Sequence, residues 1–187
     1  MSFGQPAIPE DVVLAGRGDL AALRRMRDHC LNAALSEPGS RHYPPHEAIA
    51  QMELLAEMAA GSGQAEDQVT LIAAYQVRIA SLEHNLEASR ACAAEATCAT
   101  AFEHWSRAIA VCDDRLRFYR DTKDALVAAA LADTQAAAVL VKSLGDYADS
   151  GGERAVGLLQ SIMDSFTPER AGAIQAEVRR IEEEEAR

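Results

Sequence analysis

The chain has 187 residues, 49% of them apolar but only 5% aromatic, and a formal net charge of −11. That length suffices for one domain with a sizeable core. The acidic balance, with arginines interleaved among acids, argues against nucleic acid as a partner, because duplex binding needs a basic stripe that displaces counterions from phosphates.

Alanine supplies much of the apolar content, and it is the best intrinsic helix former. No stretch alternates apolar and polar residues long enough to suggest a strand. The expected fold is therefore all-α: a short antiparallel helical-repeat array or an irregular helical bundle of about seven to nine helices. One domain over 1–187 is expected, with sub-units 9–63, 64–121 and 122–187.

The opening MSFGQPAIPEDVVLAG has neither a basic n-region nor a sustained apolar h-region. No apolar run approaches the roughly 20 residues that span a bilayer. A cytoplasmic protein without a membrane partner is expected. Cys30, Cys92, Cys98 and Cys112 show no paired C-x-x-C spacing, so they read as reduced, small apolar residues. Only Lys123 and Lys142 are lysines, a bias read as the coding of a GC-rich bacterium.

Pro9 can open a short helix that stops near Gly16. In GRGDL, Gly16 and Gly18 break the chain and Asp19 caps the next helix. The Arg17-Gly18-Asp19 tripeptide is thus a helix boundary rather than an adhesive ligand. Pro45, after EPGSRHYP, suits a first helical position, and Gly61 or Gly63 ends that helix. His42 and His46 share one loop but have no third ligand nearby, so no metal is assigned.

From Gln64 to Leu144 there is no glycine or proline. Turns lean on those residues, so the span reads as a few long helices. Val69, Ile72, Gln76, Ile79, Leu82 and Leu86 step by three or four. So do Cys98, Ala101, Trp105, Ala108, Cys112, Leu116 and Tyr119. The two stripes predict one-sided, antiparallel packing, with the joint near EASRACAAE, Ser89 as cap, and Cys98 and Cys112 buried.

Beyond that seam, Asp113, Arg117, Arg120 and Asp124 form an exposed stripe of offsetting charge. DDRLR lacks the further carboxylate that a diphosphate-binding acidic motif of helical cyclases requires. Phe118 lies off the seam and is expected to pack on the next helix; the alternative is that, flanked by Arg115, Arg117 and Arg120, it makes a patch for an acidic peptide.

Near the end, SGGE at Ser150–Glu153 has capping-box spacing. Thr167-Pro168-Glu169 offers an N-cap, a proline and an acid in order. Ala171, Ile174, Val178 and Ile181 then share one face. The run EEEEAR meets the negative end of the helix dipole, which predicts fraying.

AAGSGQAEDQVTLIAAY, Ala59 to Tyr75, resembles the junction between two Sel-one-like repeats of the tetratricopeptide superfamily. Ala59, Ala60, Gly63, Ala65, Glu66, Gln68, Leu71 and Tyr75 carry the likeness. AFEHWSRAIA is similar to the second helix of such a unit, with Trp105 and Ala108 at its packing positions. SLGDYADSGGERAV is similar to the Leu-Gly, Tyr, Gly, Ala pattern of tetratricopeptide units. Asp19, Ala22, Met26 and Cys30 can also be laid on Asp133, Ala136, Leu140 and Leu144. A second internal match sets Ala48, Ile49, Met52 and Leu55 on Ala155, Val156, Leu159 and Ile162.

The resemblance implies a helical array that binds a protein or peptide. The expected function is a non-catalytic interaction module without a cofactor, contacting its partner through Arg115, Phe118 and Arg120. The alternative is a self-associating structural protein, a homodimer formed through the central seam. No P-loop, nucleophile elbow or dinucleotide loop supports an enzyme.

Overall fold

A computed structural model describes residues 9–36, 46–59, 64–149 and 153–187. The described residues form eight α-helices: α1 (Pro9–Gly16), α2 (Leu20–Leu35), α3 (His46–Ala59), α4 (Ala65–Ala94), α5 (Ala99–Ala132), α6 (Thr134–Asp149), α7 (Glu153–Asp164) and α8 (Pro168–Glu185). No strand occurs among the described residues. The fold class is all-α.

Local chemistry explains where several helices begin. After α1, Gly18 takes a left-handed φ of +83°, which costs glycine nothing. Its N–H donates to Ala15 O at 2.8 Å and the Asp19 N–H to Leu14 O at 3.0 Å. Those two bonds satisfy the last carbonyls of α1 in a Schellman motif. Asp19 then accepts from the Ala22 N–H at 2.9 Å and opens α2. GRGDL is a tight stop followed at once by a start.

Asp133 repeats the second half of that device, accepting from the Ala136 N–H at 2.7 Å. Ala22, Met26 and Cys30 of α2 are buried, as are Ala136, Leu140 and Leu144 of α6. The α2/α6 correspondence therefore holds in both cap and core face. The match of α3 to α7 is looser, since Ile49 is buried whereas its counterpart Val156 is exposed. Thr167 accepts from the Arg170 N–H at 3.4 Å, and Pro168 opens α8.

The core lies around α4, which touches α2, α3, α5 and α6. One cluster joins Cys30 and Leu31 of α2, Ile49 and Met52 of α3, Val69 and Val77 of α4, Leu140 and Leu144 of α6, and Ile174 and Ile181 of α8. Fully burying each leucine or isoleucine contributes about 1.5–3 kcal/mol. The cluster runs continuously from α2 to α8, with α4 at the centre of the described helices.

Two expectations about this region are corrected. The first half of α4 is not one-sided: Val69, Thr70, Ala73, Ala74, Tyr75 and Val77 are all buried, because helices cover it on several sides. Ser89 does not cap α5. It is buried inside α4, which continues to Ala94, and the joint falls at residues 95–98. The proposed sub-unit boundary between 121 and 122 lies within the unbroken α5.

The end of α8 also departs from expectation. Glu185 stays helical and lies 3.3 Å from Arg24 Nε and 3.0 Å from Lys142 Nζ. Two cations on α2 and α6 thus hold the terminal turn that the dipole alone would loosen. The Pro45, Gly61, Gly63 and Ser150–Gly152 signals fall outside the described residues. No single helix among those residues is long and apolar enough to cross a membrane; α5 and α6 meet at a corner of 109°.

Candidate interaction surface on the long hairpin

α4 and α5 run 30 and 34 residues, each about the length of a whole two-helix tetratricopeptide unit. Their four-residue connection forces them antiparallel. A cross-helix ladder follows: Lys123 to Gln76 at 3.2 Å, Arg120 to Glu83 at 2.6 Å and Asp113 to Arg90 at 3.6 Å. Ile79, Leu82 and Leu86 of α4 meet Leu116 of α5 in a dry seam flanked by Ile109, Cys112 and Tyr119. The expected α5 stripe was right at Cys112, Leu116 and Tyr119, while Ile109 takes the place expected for Ala108.

From residue 83 to residue 115 only Leu86 and Ser89 are buried. That stretch is a two-helix arm without a third layer. Cys98, expected in the seam, is exposed at the start of α5, and Cys112 is half-buried.

A polar cluster anchors the arm to the body. Glu53 of α3 is only 8% exposed. It accepts from Arg78 Nε at 2.7 Å and from the Tyr119 hydroxyl. Tyr75 donates to Glu57 at 3.0 Å, and the two tyrosine rings meet edge to face at 5.4 Å. Burial, followed by hydrogen bonding to the neighbouring glutamates, pushes both phenols up to about 12. They stay protonated near neutrality and donate to carboxylates, so the cluster works as a clasp between α3, α4 and α5.

At the far end of α5, Arg170 of α8 donates to the Ala132 carbonyl at 2.9 Å and to the Leu131 carbonyl. Its guanidinium lies 5.7 Å from the centre of the Phe166 ring. A cation on the last carbonyls of a helix satisfies acceptors that lack an intrahelical donor. The corner between α5 and α6 is fixed there.

The face of α5 turned away from α4 is open. Val111 is 51% and Phe118 60% exposed. Phe118 touches Tyr119 edge to face at 5.3 Å but is not covered. Arg115, three residues before Phe118, lies exposed on the same face. Arg120 does not join them. It is two residues beyond Phe118, pointing elsewhere, and is paired with Glu83.

The surface therefore keeps Arg115 and Phe118, loses Arg120 and gains Val111. The full outward row is His104, Ala108, Val111, Arg115, Phe118, Thr122, Ala125 and Ala129, stepping four and three in strict alternation. A second ladder on the same helix was the sequence signal for Val111. It was masked by the stronger seam ladder beside it.

Among the described residues no group of three His, Cys, Asp or Glu side chains could hold a metal ion. The His42 and His46 side chains lie outside the described set. Comparison with family models, with curated proteins and with solved structures finds no match to this chain.

Proposed function

We propose that this protein is a non-catalytic interaction module that binds a protein partner through the outward face of α5. The observation that supports the reading most is the exposure of Val111 and Phe118 on one heptad row of a helix whose opposite side is packed. Each is already about half covered, so covering the rest would contribute about 1–2 kcal/mol per side chain. Single exposed apolar residues are ordinary, but a row at coiled-coil spacing presents knobs to a partner helix.

The convergent ionisable groups at Glu53 also favour binding over chemistry. Arg78 and Tyr119 are both engaged with the Glu53 carboxylate, which leaves a rigid mount for the arm. The tetratricopeptide likeness adds an analogy of fold class and no more.

The test is affinity capture from the native host with the wild-type protein and with Arg115→Glu/Phe118→Ala. Loss of a captured protein in the double variant, with helical content unchanged, is the expected result. Equal recovery by both would remove the surface from the account.

A further inference from the structure

We propose that the outward face of α5 pairs with the same face of a second copy, antiparallel, about a two-fold axis passing close to Asp113. This inference rests on the reading of that face as a docking surface and names its occupant. Three observations converge on a second copy.

The first is charge. The chain carries −11, and at that charge most faces of two copies repel. Within α5, Arg107, Arg115, Arg117, Arg120 and Lys123 offset Glu103, Asp113, Asp114, Asp121 and Asp124. The helix is neutral overall, so two acidic copies can meet along it without net repulsion between the paired helices.

The second is symmetry. Because the row alternates four and three, an antiparallel pair of the same helix sets each position against another of its own row, as a two-fold contact between like patches does. The third is the flank of that row. Arg107, Asp114 and Asp121 are spaced by sevens and so share one side. In an antiparallel pair, flanking positions of this type face one another across the interface. Arg107 then meets the partner's Asp121, and the reverse contact follows by symmetry.

In that register the layers are His104 against Thr122, Ala108 against Phe118, and Val111 against Arg115. A small residue faces the largest one, as interdigitation needs. Asp114 meets its own copy on the axis. Arg117, 3.9 Å from Asp114 within each copy, offsets that like-charge contact. Sliding by one heptad towards the α5 C-terminus would set Asp114 against Asp121 twice, which disfavours it. The paired row of 19 residues is about 28 Å long. It is a small interface, and its occupancy should depend on concentration.

Sedimentation velocity on the full chain, from micromolar to millimolar protein, tests this. A monomer–dimer equilibrium is expected for the wild type. Phe118→Glu and Arg107→Asp should each weaken it on the order of tenfold or more. Arg107→Asp/Asp121→Arg should recover most of the loss, because the exchanged charges face each other again. Circular dichroism checks that each variant is folded, and Val111→Glu replaces Phe118→Glu if that variant loses helix. A wild type that stays monomeric, a dimer untouched by the apolar-to-Glu change, or a double swap no better than its singles would each overturn the proposal. If the wild type is monomeric while face-dependent capture of another host protein persists, the docking surface stands and the second copy is wrong.

Discussion

The hydroxyl of Tyr119, on α5, donates to the carboxylate of Glu53, on α3, across 66 positions of chain. Arg78, on α4, donates to the same carboxylate. One buried acid therefore ties three helices together, and the arm is held where it leaves the body.

Removing that acid should be costly. Glu53→Ala leaves the Arg78 guanidinium, whose side chain is 15% exposed, without its counter-charge. Breaking one half of a buried pair costs about 3 kcal/mol or more. Glu53→Gln keeps two polar atoms in place and should lose less, and Tyr119→Phe about 1 kcal/mol. Urea unfolding followed by circular dichroism gives all three values; a Glu53→Ala loss under about 1 kcal/mol would dismiss the clasp.

Alkaline pH should open the same clasp. Tyr75 and Tyr119 have folded-state values near 12, above the ordinary 10. Their stabilisation is fully present below pH 10. It is lost as the pH rises from about 10 to about 12, because the unfolded chain gives up those protons first. Stability measured across that window should fall, and tyrosinate absorbance should show Tyr75 and Tyr119 titrating late, together with Tyr147, which burial also pushes up. Tyr75→Phe/Tyr119→Phe should flatten the fall; an unchanged profile would place its origin elsewhere.

The helix boundaries make a paired prediction. Asp19→Ala and Asp133→Ala should each cost about 1 kcal/mol and the serine replacements much less. Gly18→Ala should also cost about 1 kcal/mol. The open space around Gly18 leaves backbone conformation as the cause. Equal losses for alanine and serine at either aspartate would argue against a cap. Thermal melts of the five variants suffice.

Cysteine reactivity should rank the thiols by position. Cys98 stands exposed at the arm's tip, whereas Cys30 is buried and its thiol is pushed up to about 12 by that burial. A maleimide should label Cys98 first and Cys30 only on unfolding. Mass spectrometry of partly labelled protein reads the order directly, and early labelling at Cys30 would contradict its placement.

How far the sequence foretold this structure depends on the residue type at each boundary. Pro9, Gly18 and Pro168 act through their own backbone and Asp19 and Thr167 through a capping side-chain oxygen, and helices start or stop beside them. The α4–α5 joint has no such residue. Glu95 to Cys98 lie in an alanine-rich tract without glycine or proline, so Ser89 stood out falsely and the turn went unseen. Ile174 and Ile181 were legible because α8 packs on one side only. The first half of α4 was not, since a helix covered from several directions has no period to show. Phe118 and Arg115 were visible as residues off the seam. Arg120 was misplaced because its pairing with Glu83 depends on how two helices align, a relation no single segment contains. The hold of Arg24 and Lys142 on Glu185 is of the same kind.

α4 passes from Val69 in the core to Ala94 at the arm's tip without a hinge residue or a break. Its 30 residues make a rod about 45 Å long. A push at the outer end would not be absorbed by a joint. It would tilt the inner end among α2, α3 and α6, so whatever grips the tip also levers the packing of the body.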